Sequence, residues 1–150
     1  MTRFEWTMAL GLVVFAAPGV WAHDAADLPA GPIRDRVELM EHIGDDAKAI
    51  NEAVKAGKGA DAVAPAENIV ATAPRFTDLF PEGSTDPKSR AKPNIWSARD
   101  EFDAFNTYLV KAAGGVAAAA RSGGDVRGAT KKMFGTCKSC HDKFRTPDEH

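Results

Sequence analysis

Both cysteines of this 150-residue chain fall inside one pentad, Cys137-Lys138-Ser139-Cys140-His141, and that grouping constrains everything the remaining residues can build. Two thiols separated by two residues stand about one helical turn apart, and the imidazole that follows continues the same turn. C-x-x-C-H is the attachment sequence of a c-type haem: the thiols add across the porphyrin vinyl groups and the histidine becomes the proximal iron ligand. The other chemistry open to C-x-x-C is a short-loop disulfide or a thioredoxin-like redox pair, which usually opens a helix after a strand. No strand pattern precedes Cys137, and the chain has no third cysteine. One haem c per chain, covalently bound through Cys137 and Cys140 with His141 on the iron, is the expected cofactor.

The N-terminus bears on where such a group is attached. Residues 8–17 are almost wholly apolar, Arg3 precedes them, and Val20-Trp21-Ala22 ends in a small residue. This is the pattern of a secretory signal cut after Ala22. The expected division is a signal peptide at 1–22 and a single domain at 23–150, exported to the periplasm. The apolar run is interrupted by Pro18 and Gly19 and is too short to span a bilayer, so no stable membrane association is expected. The formal charge is −2, which argues against nucleic acid as a partner and leaves no basic patch for a membrane surface.

From residue 33 onward the hydrophobic period is helical. Ile33, Met40, Ala47 and Val54 recur every seven residues, with Ile43 and Ile50 between them, an a/d seam that predicts a helix from Ile33 to Ala56 ended by Gly57-Lys58-Gly59. A second helix is predicted from near Pro65 to Phe80, kinked or split at Pro74. Residues 81–93 read as a long loop. A third helix runs from Asn94 to Arg121, with Phe102, Phe105, Leu109 and Val116 on one side and Gly123-Gly124 behind it. Asp125 caps a fourth from Val126 to Arg145. Four amphipathic helices and no strand predict an all-α fold, an antiparallel four-helix bundle that holds the haem between facing helices.

With its C-x-x-C-H near the C-terminus, the chain resembles the class II c-type cytochromes, the cytochrome c′ and cytochrome c556 family. The matching pieces are Arg36 to Met40, Leu79-Phe80-Pro81, Lys92 to Trp96 and Cys137 to Arg145. The family's two kinds of site differ at the sixth coordination position. Cytochrome c′ is mostly five-coordinate beneath an apolar residue, whereas the c556 type closes that face with a methionine of the first helix. Met40 sits at the matching place, and the Leu-Phe-Pro match leans to the c556 type. Met133 lies on the helix of His141 and cannot reach the opposite face, while His42 points about 200° round the first helix from Met40. His23 and His150 belong to the terminal segments. Met40 is therefore the candidate distal ligand, with a flexible core residue as the plainer alternative.

The resemblance also implies that Arg36 could reach a haem propionate and that Arg145 could lie by the proximal pocket. The plainer alternatives are a solvated residue at the bundle end for Arg36 and a favourable cation in a last helical turn for Arg145. The expectation for function is periplasmic one-electron transfer with His141 and Met40 as axial ligands, no enzymatic turnover, transient redox protein partners, and homodimer formation of the kind the family shows. The alternative is a five-coordinate cytochrome c′ that binds nitric oxide or carbon monoxide.

Overall fold

The computed structural model describes residues 25–86 and 89–147; the expected signal peptide at 1–22 lies outside them. Five helices follow one another: α1 (Pro32–Lys55), α2 (Val63–Thr72), α3 (Asn94–Ser97), α4 (Arg99–Ser122) and α5 (Val126–Phe144). In the bundle α1 packs on α2, α2 on α4 and α4 on α5, whereas α5 returns to α1 through a much thinner contact. The result is the antiparallel four-helix bundle, all-α as expected, with one slack seam. No helix among the described residues is long and apolar enough to cross a membrane.

The a/d seam is what seats α1. It buries Leu39, Ile43, Ala47, Ile50, Ala53 and Val54, the three- and four-residue spacing that keeps a stripe turned to a core. Pro32 stands in the first turn, where its missing N–H is not needed. At the other end Gly57 takes φ 69° and donates to Val54 O at 3.2 Å, while the Lys58 amide donates to Ala53 O at 2.9 Å. This is the left-handed stop that glycine permits.

Pro74 divides the second segment as its chemistry requires. Regular α2 ends at Thr72, and two 3-10 turns, Ala73–Arg75 and Thr77–Leu79, carry the chain on. The third segment differs from expectation: it breaks at Ala98, whose backbone leaves the helical region (φ −123°, ψ 42°) between α3 and α4. Two anchors pull the chain aside there. Ile95 is buried among Phe80, Phe102 and Phe144, and Trp96 Nε1 donates to Pro81 O at 3.0 Å. The rings close that end of the bundle edge to face, with centroids 4.8 Å apart for Phe80 and Phe102 and 5.3 Å for Phe102 and Phe144.

The loop after Phe80 is held from two sides. Arg36 is 2% exposed; its guanidinium donates to Ser84 Oγ at 2.8 Å, Ser84 O at 2.8 Å and Ser89 Oγ at 2.7 Å, and it lies 4.4 Å over the Phe80 ring. Arg36 is therefore not the solvated residue that the sequence allowed. On the other side Lys92 N donates to Phe144 O, Thr146 N donates to Arg90 O, each at 2.9 Å, and Lys92 Nζ reaches Asp142 O. The loop thus ties the α1 side of the bundle to the last turn of α5.

Candidate haem site

Between α1, α4, α5 and the turn at Phe76 lies a partly open cavity of about 50 Å³. Helix α5 brings Thr136, Cys137, Cys140 and His141 to it. Positions 137, 140 and 141 share one side of a helix by the three- and four-residue rule, so the pentad needs only regular helix to aim its groups together. Met40 and Ile43 enter from α1, Phe102, Phe105, Asn106 and Leu109 from α4, and Phe76 from the turn after Pro74. Apart from the thiols and the imidazole, the only polar side chains on this wall are Asn106 and Thr136.

The electrostatics favour neutral groups. Burial, and then the neighbouring Cys137, push the Cys140 thiol up to about 11, and burial raises Cys137 as well. Both cysteines are free despite their spacing. Burial lowers the His141 pKa, with Arg145 and Arg90 adding to it and Asp142 opposing; a neutral imidazole keeps a nitrogen lone pair for a metal. Two protonated thiols and a neutral imidazole on one face of an apolar cavity suit a c-type haem: S–H groups to add across vinyls, a nitrogen for the iron, and hydrocarbon around the macrocycle. Cys137, Cys140 and His141 are the residues that would hold it.

Met40 lines the same cavity as His141, from the opposite helix. Met133 is fully buried in the main core and His42 is exposed, and neither reaches the cavity. His23 and His150 lie outside the described residues. Arg145 stands just past α5 in extended backbone, its amide on His141 O and its strand-like pairing with Ala91. It is not in the last helical turn. It is near enough for its charge to lower the His141 pKa. Arg36 is absent from the cavity wall, its guanidinium being taken by the loop. Sequence reasoning missed Asn106, yet the signal was there: it falls four residues after Phe102 and three before Leu109, on the apolar side of its helix.

Comparison with known proteins gives the family. The family model described as Cytochrome C′ matches residues 31–145. The cytochrome c′ of Pararhodospirillum photometricum is 34% identical over 122 residues, 78% of this chain and 98% of that protein. The crystal structure of cytochrome c′ from Thermochromatium tepidum superposes with a TM-score of 0.70 at 25% identity, covering 79% of this chain and all of the other. A nitric oxide complex of a mutant cytochrome c prime from Alcaligenes xylosoxidans shares the fold at a TM-score of 0.69 and 22% identity, over 79% and 98% of the two chains. These matches are to cytochrome c′ and give no support to the c556 type or to methionine ligation, toward which the sequence leaned. By fold, pentad and relatives, the chain belongs to the cytochrome c′ family, with a single covalently attached c-type haem.

Proposed function

We propose that this is a periplasmic cytochrome c′ whose iron is held by the protein through His141 alone, and whose cavity admits a small gas, nitric oxide or carbon monoxide. The observation that carries the reading is the wall facing α5: Met40, Ile43, Phe76, Phe102, Phe105 and Leu109 are apolar, suited to crowding a coordination position and excluding water rather than to acid–base chemistry. That a relative by fold forms a nitric oxide complex supports it. A c-type haem held here would supply a redox-active iron able to take up a diatomic gas. Cys137 and Cys140 fix the macrocycle on α5, His141 presents its neutral nitrogen from the next position, and the Phe76, Phe102 and Phe105 rings keep the cavity dry. Met40 limits the space above. Transient redox proteins would supply the electron.

A second reading, an electron carrier with Met40 on the iron, has one observation in its favour: Met40 and His141 line a single cavity. Carbon monoxide binding separates the two. As a wall, Met40 only slows entry, so the reduced protein binds carbon monoxide to saturation in one phase whose rate is proportional to gas concentration. Met40→Ala raises that rate and leaves the spin state unchanged. A rate that levels off with gas concentration, set by loss of an internal ligand and abolished in Met40→Ala, establishes the carrier instead.

A further inference from the structure

The amide of Asn106 interrupts a wall of hydrocarbon and thioether. Its Nδ2 donates to Ala73 O at 2.9 Å, so the side chain leans toward the chain break after α2. It turns away from α5, since α2 and α5 stand diagonally across the bundle. The bond is not needed to satisfy Ala73, because that carbonyl already accepts from Phe76 N at 2.9 Å. Asn106 is half-buried, and an amide drawn even partly out of water costs free energy that an apolar residue of the same size would not. What the Ala73 bond does is fix the amide plane. An Asn side chain has two N–H donors, and no hydrogen bond among the described residues takes the second. Thr136, the other polar residue on the wall, has its only proton directed to Lys132 O at 3.3 Å.

We propose that Asn106 is a specificity-determining residue: its second N–H donates to a diatomic ligand held in the cavity and favours nitric oxide, which carries more negative charge when bound, over carbon monoxide. This rests on the gas-binding reading above. A net hydrogen bond of ordinary strength corresponds to roughly two- to ten-fold in a dissociation rate.

The test is the infrared C–O stretch of the carbonmonoxy haem protein together with the nitric oxide dissociation rate. Asn106→Leu is expected to move the stretch to higher frequency and to speed nitric oxide release roughly two- to ten-fold. Asn106→Gln, which keeps an amide, should lie between Leu and wild type, and Thr136→Val should leave the stretch in place. If Asn106→Leu does not fold, the wild-type band recorded in D₂O decides: an exchangeable donor on the ligand shifts it. A stretch unmoved in Asn106→Leu, or a wild-type band indifferent to D₂O, overturns the assignment while leaving gas binding intact. A protein that takes up no carbon monoxide overturns both.

Discussion

A residue that is 2% exposed needs partners for its charged donors, and the terminal nitrogens of Arg36 find acceptors 48 and 53 residues away, at Ser84 and Ser89, with Nε alone left without one. Arg36→Met is expected to lower the stability of the haem protein by about 3 kcal/mol, the worth of hydrogen bonds from a charged donor, read as a fall in the denaturant midpoint. Arg36→Lys should recover little, because an ammonium cannot reproduce the planar fork over Phe80. The sequence set Arg36 one turn before Met40 and so toward the same cavity, whereas its guanidinium turns to the loop instead. It could not name the partners, which sit in a loop with no periodicity. The pentad was legible for the opposite reason, since its chemistry is local. The Cys140 thiol offers a second check. Its pKa of about 11, against 8.5 for a free thiol, leaves a thiolate fraction at neutral pH lower by more than about 100-fold. In the folded haem-free chain Cys140 should alkylate slowly at pH 7 and accelerate as pH rises toward 11; rapid labelling at pH 7 would show that the thiol is not buried.

Helix α5 carries Cys137, Cys140 and His141, so what starts it matters. Asp125 accepts from the Gly128 amide at 2.8 Å, a side-chain cap worth about 1 kcal/mol. A Cβ on Gly128 would stand 2.2 Å from Asp125 Oδ2, so the glycine is required by the cap and not by its own backbone. The two residues should therefore couple. Asp125→Ala costs about 1 kcal/mol, and Gly128→Ala alone gains less than helix propensity promises because it dislodges the cap. Gly128→Ala placed on Asp125→Ala should recover the full propensity gain of about 1 kcal/mol. A double-mutant cycle in denaturant measures this, and simple additivity refutes it. The Asp125 cap and the Pro74 break could be read from residue type, because each acts through its own backbone. The division of α3 from α4 could not: Ala98 has no breaker chemistry, and its bend follows from where Ile95 and Trp96 find their partners.

At the scale of the molecule, the a/d stripe, the glycine stops and the pentad together made the bundle and its cofactor legible. The state of the sixth position was not, because a methionine at helical spacing serves equally as wall or as ligand. The slack contact between α1 and α5 leaves the seam at which the family's haem would lie. A chain lacking both thiols, Cys137→Ala with Cys140→Ala, is accordingly expected to melt lower and with a broader transition, the cavity having lost its filling. Met133→Ala, in the fully buried core away from the cavity, should cost about 2–5 kcal/mol without altering the visible spectrum. The central claim is that His141 is the sole protein ligand of a haem fixed by Cys137 and Cys140. It is tested most directly by resonance Raman spectroscopy of the reduced, gas-free protein at neutral pH. The marker bands of five-coordinate, high-spin iron are expected; six-coordinate, low-spin bands that vanish in Met40→Ala would show Met40 on the iron instead.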